Sequence, residues 1–271
     1  MDFKNQVYDI VIIAGQSNAQ GCGRGPADEE YKPDADIMHL YQRFTLVDKI
    51  IDGIWKMTIS VDDPTYYIDV ADEIADKYGR CADLGLSFCK LYKEHGLLAK
   101  GRQILLVRAA VGGTGFMKKQ WGLGNELYLR MIDMIDHALS LNNENRIVAF
   151  LWHQGEHDAF EGNPPETFES QLEAMINDVR ARYNLPSLPF VSGDFVNDWK
   201  MKNIESCEPI VEKIKAVSAR LRGAFVETAD LLSNDQKIGN GDDIHFCREA
   251  LHILGKRYFE AYKSILERIN Q

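Results

Sequence analysis

Two kinds of apolar segment alternate along the 271 residues, and that alternation constrains the fold more than any other feature. Short β-branched runs read as buried parallel strands: Tyr8 to Ala14, Ile104 to Val107, Ile147 to Trp152, and Phe190 with Val191. Ala35 to Tyr41 and Ala224 to Glu227 are weaker members of the set. Between them, apolar residues recur at helical spacing. The stripes are Leu84, Phe88 and Leu91; Leu127, Met131, Ile135 and Ala138; Phe168, Leu172, Met175, Ile176 and Val179; Ile210, Ile214, Val217 and Leu221; and Ala250, Leu254, Tyr258, Ala261 and Ile265. They read as faces packed on a core. Such alternation builds a mostly parallel sheet with helices on both faces, because a parallel crossover needs a long connection and the helix supplies it. The expectation is one three-layer α/β/α domain over residues 1–271, since no Ser/Gly-rich linker, repeat or low-complexity tract divides the chain. The stretch from Gln42 to Gly79 is the least periodic and reads as a loop-rich excursion that shapes a rim over the site.

In such sheets ligands bind outside the carboxyl ends of the strands, so the residues after each strand carry the functional information. After the first strand comes Gly15-Gln16-Ser17-Asn18. Gly15 permits a sharp turn, and Ser17 then stands at the top of the sheet. A short helix starting there aims its N–H groups at a developing anion; the alternative is that Ser17 only caps that helix. After Val107 comes Ala110-Val111-Gly112-Gly113-Thr114-Gly115. Paired glycines let backbone N–H groups approach a ligand, or simply turn tightly. After Trp152 comes His153-Gln154-Gly155-Glu156-His157-Asp158, dense in polar groups directly behind a buried strand. Gln154 there suits an N–H donor to an oxyanion and Glu156 an orienter of the loop, unless the run is only a hydrogen-bonded corner. Near the C-terminus, Asp242-Asp243-Ile244-His245-Phe246 precedes the last helix. An Asp three residues before a His can fold back to accept its Nδ1–H, leaving Nε2 as a base. Together these segments hold a nucleophile, a base, an orienter and oxyanion donors, the set that acyl transfer requires.

Composition excludes several other classes. Apolar residues make up 45% and charged residues 27%, which is ordinary for a globular protein and unlike a disordered or collagenous chain. Lysine and arginine number 31 against 41 acidic residues, a formal charge of −10, which opposes a nucleic-acid partner. The five cysteines (Cys22, Cys81, Cys89, Cys207 and Cys247) are odd in number and form no CxxC, a pattern of free thiols in a reducing compartment. No run reaches the ~20 apolar residues of a membrane span, and the N-terminal run is too short for a signal segment. The expectation is therefore a cytoplasmic protein with neither membrane nor nucleic-acid partner; nothing in the sequence specifies an oligomeric state.

Gly15-Gln16-Ser17-Asn18, Val111-Gly112-Gly113-Thr114, Trp152-His153-Gln154-Gly155-Glu156 and Asp242-x-x-His245-Phe246 resemble the blocks of the SGNH hydrolase superfamily. They are most similar to its carbohydrate esterase family six branch, the sialate O-acetylesterase and acetylxylan esterase group. Gly85-Leu86-Ser87-Phe88 is similar to that family's helix start, and the blocks run from residue 11 to about 259. The resemblance implies an SGNH-type fold and a serine esterase that removes O-acetyl groups from small saccharides, either acetylated sialic acids or xylan- or mannan-type sugars. It implies Ser17 as nucleophile, His245 as general base and Asp242 as its partner. It also implies an oxyanion hole from the Ser17 N–H, a glycine N–H (Gly113 of the pair Gly112-Gly113) and the Gln154 side chain, where the wider superfamily has Asn. Gln16, Asn18, Gly112, Thr114 and Glu156 are then substrate-binding or supporting residues, and no metal or cofactor is called for. Trp121 matches the family's tryptophan after the glycine loop, as a wall for the acyl group or sugar or as a core residue. His157 departs from the small polar residue more usual there, which bears on substrate preference.

Other readings compete with this one. His153-x-x-Glu156-His157 fits an inverted zinc-hydrolase pattern, but no helical stripe passes through it and Gly155 interrupts it. Gly21-Cys22-Gly23-Arg24-Gly25 lacks dinucleotide-binding spacing and begins well past the first strand. A non-catalytic carbohydrate-binding module would not need the intact set of Ser, His and Asp. Cys22 and Cys247 flank Ser17 and His245 and read as small buried hydrophobes rather than nucleophiles. Arg108, at a strand end, is expected to pair internally with Glu156 rather than with a substrate carboxylate.

Overall fold

β1 (Val7–Gly15) is the strand from which the architecture is organised. Eight of its nine residues are buried, as a central parallel strand covered on both faces must be. In the computed structural model, residues 6–26, 32–51, 54–60, 65–72, 74–76 and 79–270 are described. β1 is followed by the single-turn α1 (Ser17–Gln20), then β2 (Ile37–Gln42), β3 (Thr45–Ile51), β4 (Ile54–Ser60), β5 (Tyr66–Val70), β6 (Ile74–Asp76) and β7 (Gly79–Cys81). The second half alternates: α2 (Gly85–Glu94), β8 (Arg102–Arg108), α3 (Glu126–Ser140), β9 (Arg146–His153), α4 (Glu156–Glu161), α5 (Pro165–Arg182), β10 (Phe190–Gly193), α6 (Asn197–Lys202), α7 (Ile204–Arg220), β11 (Ala224–Val226), α8 (Asn234–Ile238) and α9 (Arg248–Ile269).

The main sheet has the order β11-β10-β9-β1-β8-β2-β5 and is parallel except for β5, which runs antiparallel to β2. β1 lies between β8 and β9; β10 and β11 follow β9 outward in chain order, whereas on the other side β8 separates β1 from β2 and β5. This is a topological switch point, where the loops beyond the carboxyl ends diverge and leave a crevice. Helices cover the sheet: α2 packs on α9 and α5 on α7, and the expected stripes (Leu127, Met131, Ile135 and Ala138 on α3; Phe168, Leu172, Met175, Ile176 and Val179 on α5) are buried. The α2 start expected at Gly85 forms because Asp83 Oδ1 accepts the Gly85 N–H at 2.8 Å.

One segment departs from expectation. Gln42 to Gly79 is not a loop-rich rim: β5 closes the sheet edge, β3 pairs with β4 and β6 with β7 as antiparallel ladders. Antiparallel pairs need only alternation over short runs, so they lack the long buried stretches that mark parallel strands. Residues 52–53, 61–64, 73 and 77–78 of this segment lie outside the described residues, and so does the side chain of Cys81. Cys22, Cys89, Cys207 and Cys247 are free thiols. No helix among the described residues is long and apolar enough to cross a membrane.

At the amino end of β1, Asp9 is fully buried. Its carboxylate accepts from Arg102 Nε and Arg146 Nε, both at 2.7 Å, and from Tyr92 O–H at 2.8 Å. Burial opposes its charge, but these donors prevail and hold its carboxyl below the usual range. The clamp joins β1, β8, β9 and α2 below the site.

Candidate active site

Ser17 reaches its position through Gly15. The φ of Gly15 is +128°, and a Cβ there would stand 2.1 Å from the His153 carbonyl oxygen, so only glycine lets β1 turn this close to β9. Gln16 N–H then donates to the same carbonyl at 3.0 Å. Ser17 is the first residue of α1, and Gln16 holds the N-cap position without a side-chain bond. The capping alternative for Ser17 is thereby removed. Ser17 lines a cavity of about 540 Å³ with Gln16, Gly112, Gly113, His157 and His245, and Phe160, Trp199 and Ile244 give it an apolar wall.

His245 arrives from the loop between α8 and α9. Its Nε2 lies 2.9 Å from Ser17 Oγ and its Nδ1 lies 2.7 Å from Asp242 Oδ1. A carboxylate only accepts, so Nδ1 carries the proton and Nε2 is left to accept the serine O–H. Asp242 Oδ2 accepts from Asn234 Nδ2 at 2.9 Å. Burial works against the charge of Asp242, but the bonds from His245 and Asn234 outweigh it and hold its carboxyl below the usual carboxylate range. The neighbouring Asp243 points elsewhere, to Lys202 Nζ at 2.9 Å.

An isolated bridge between Ser233 and Phe246, with Cys247 N–H donating to Leu232 O at 2.9 Å, ties this loop to the start of α8, and side chains complete the hold. The amide of Asn18 brackets His245: its Nδ2 donates to Ile244 O (3.2 Å) and its Oδ1 accepts from Phe246 N–H (3.1 Å). Asn18 Nδ2 also donates to Glu156 Oε1 at 2.9 Å. Glu156 is fully buried; burial opposes its charge, and His153 and Asn18 outweigh that to keep its carboxyl low. His153 Nε2 is 3.6 Å from Glu156, and its Nδ1–H donates to Tyr258 Oη at 2.9 Å, because the tyrosine proton goes to Trp152 O. Asn234, fully buried, donates its N–H to His245 O at 2.8 Å and its Nδ2 to Cys22 O at 3.0 Å. Sequence reading did not mark Asn234; its visible signal is structural, the Ser233/Gln236 capping box that opens α8.

The glycine loop lies against the serine: a Cβ on Gly112 would be 3.4 Å from Ser17 Cβ. The Gly112 N–H donates to Gln20 Oε1 at 2.7 Å, whereas no hydrogen bond among the described residues claims the N–H of Gly113 or Ser17. Gln154 does not join them. Its Nε2 donates to Asp158 Oδ2 (2.5 Å) and Thr114 O (3.3 Å), which commits both amide protons beneath the loop. Asp158 explains this turn: its carboxylate also accepts from Phe116 N–H, Met117 N–H and Asn163 Nδ2, and so gathers the loop around itself. In this structure the Gln154 amide, expected to face the oxyanion, instead bonds beneath the glycine loop.

Other expectations are corrected by packing. Trp121 is fully buried, donates to Thr114 Oγ1 at 2.9 Å, and meets Trp152 edge-on; it is core, and Trp199 and Phe160 form the wall instead. Thr114 is buried too, its hydroxyl donating to Val111 O at 2.6 Å, so it shapes the loop. Arg108 pairs with Asp83 at 2.7 Å, not with Glu156. Cys247 is buried as expected, but Cys22 is half-buried and lines the cavity. His157 sits on α4 with Nε2 3.8 Å from Glu161, separated from His153 by the strand-to-helix break at Gly155, so the two imidazoles do not share a helix face. Among the described residues no three His, Cys, Asp or Glu side chains form a metal-holding group.

With this geometry in view, the family model described as carbohydrate esterase, sialic acid-specific acetylesterase matches residues 7–264. The chain belongs to that family. A "probable carbohydrate esterase" of Arabidopsis thaliana is 29% identical over 180 residues, covering 66% of this chain and 63% of that protein's length. A "probable 9-O-acetyl-N-acetylneuraminic acid deacetylase" of Escherichia coli K12 is 24% identical over 237 residues, covering 75% and 72%. The crystal structure of NanS superposes with a TM-score of 0.73 at 18% identity, covering 97% of this chain and 98% of that one, which establishes a shared α/β fold.

Proposed function

We propose that this esterase removes O-acetyl groups from small saccharides by a two-step acyl transfer, and that the whole chain works as one catalytic domain. The observation that carries the reading is the unbroken relay from Asp242 Oδ1 to His245 Nδ1 (2.7 Å) and from His245 Nε2 to Ser17 Oγ (2.9 Å) at the mouth of an open cavity. His245 takes the serine proton as Oγ attacks the acetyl carbonyl. The tetrahedral oxyanion forms beside the N–H groups of Ser17 and Gly113. His245 then protonates the departing sugar oxygen, and water repeats the sequence on the acyl-enzyme, releasing acetate. Asp242 keeps the imidazole in the working tautomer. Acetylated sialic acids and acetylated neutral sugars are the two substrate classes, the first favoured by family membership.

The test is acetate release from a panel of O-acetylated sugars by wild type and Ser17→Ala. The expected outcome is a folded variant whose turnover falls by roughly 10⁴-fold or more. Activity should also survive prolonged EDTA. Wild-type turnover in Ser17→Ala, or loss of activity on chelation, overturns the serine mechanism.

A further inference from the structure

A second cavity, of about 660 Å³, opens at the opposite end of the sheet. Ser187 and Leu221, which line it, stand just before the amino ends of β10 and β11, whereas Ser17 follows the carboxyl end of β1. Arg180 from the end of α5, Arg220 and Arg222 from the end of α7, and Arg268 from the end of α9 surround it, with Leu221 and Ile265 between them. The carboxyl ends of three helices converge here, and their dipoles favour cations. Carbonyls, however, supply no counter-charge.

The pairing is short of anions. Arg180 is nine-tenths buried, and its three hydrogen bonds go to Leu188 O and Leu221 O, not to a carboxylate. Arg268 likewise donates to carbonyls, of Ser264 and Gly223. The Arg222 backbone N–H donates to Ala219 O, but its guanidinium has no ion pair or hydrogen bond among the described residues. Arg220 alone meets carboxylates, Glu169 at 2.9 Å and Glu173 at 2.7 Å, and Glu169 is shared with Lys213. Such a cationic concavity stands out in a chain of net charge −10.

We propose that this cavity is a binding site for a small phosphate-bearing anion, its oxygens held by the guanidinium groups of Arg180, Arg222 and Arg268 and its less polar part set against Leu221 and Ile265. Guanidinium forks match phosphate oxygens bidentately, and removing one such charge-assisted contact reduces affinity measurably.

The probe is inorganic pyrophosphate, titrated calorimetrically into the intact protein at low ionic strength. Saturable binding at one site per chain is expected, weakened by roughly tenfold or more in Arg222→Glu and in Arg268→Gln. Lys263→Glu, an equal change of charge on α9 away from the cavity, should bind as wild type. Arg222 is exposed, so its variant should melt near wild type. No saturable binding, or equal loss in Lys263→Glu and Arg222→Glu, overturns the site and leaves only a diffuse charge effect.

Discussion

Ser17 and His245 meet at 2.9 Å, yet they are held in place by different means. Ser17 rests on backbone: β1 is paired on both sides, Gly15 passes under the His153 carbonyl, and Gln16 N–H closes the turn. His245 rests on one isolated bridge and on side chains: Ser233 pairs with Phe246, Asn234 N–H donates to His245 O and Cys247 N–H to Leu232 O, while the side chains of Asp242 and Asn18 hold the imidazole and its flanking backbone. The proposed nucleophile, fixed by backbone, tolerates change in neighbouring side chains. The proposed base, held partly by side chains, is lost in steps, one partner at a time.

The comparison is best broken at Asp242. Asp242→Asn should lower kcat by at least roughly 10²-fold, because an amide at this position no longer specifies the Nδ1–H tautomer. Steady-state kinetics on one acetyl ester at neutral pH, with folding checked by circular dichroism, measures it; near-wild-type kcat would remove Asp242 from the relay.

A smaller loss is expected from Asn18→Ala. It frees the His245 segment on both flanks and leaves the Glu156 carboxylate short of a donor. A kcat reduced about tenfold with KM little changed is the expected pattern, together with a stability loss of about 1–3 kcal/mol in denaturant titration. An unchanged kcat would mean that Asp242 and Asn234 suffice to place the imidazole.

Gln154→Ala sharpens the role of the glycine loop. As an anchor beneath the loop it should cost about 1–3 kcal/mol of stability and less than about tenfold in kcat per folded molecule. A loss of about 10²–10³ in kcat at unchanged stability is the signature of an oxyanion donor instead. The mildest case is Asp243→Asn: its carboxylate faces Lys202 at a half-exposed site, so kcat should change by only a few-fold. If this variant were crippled and Asp242→Asn active, the two aspartates would exchange roles.

Much of the fold was readable because buried parallel strands leave continuous apolar runs. Tyr8 to Ala14 and Ile147 to Trp152 fall within β1 and β9, and the five stripes fall on α2, α3, α5, α7 and α9, with Leu84 and Leu221 at the caps of α2 and α7. The antiparallel strands between Gln42 and Gly79 were not readable, because short edge and hairpin strands carry no such run. The spacing of Asp242 and His245 was equally legible, since a three-residue return is local geometry.

What the sequence by itself determined, then, is the order of layers and the local reach of groups a few residues apart: Ser17 after β1, and Asp242 within range of His245. Tertiary structure alone decided where long-range polar groups point. Asp158, far in sequence from the glycine loop, accepts its N–H groups and draws Gln154 away from the serine. Trp121 went to the core and Trp199 to the cavity wall, though nothing in their neighbourhoods distinguishes them. Arg108 chose Asp83 over Glu156. The physical reason is the same in each case: a buried polar group must find a partner, and which partner is near depends on the packing of distant segments, not on the residues beside it.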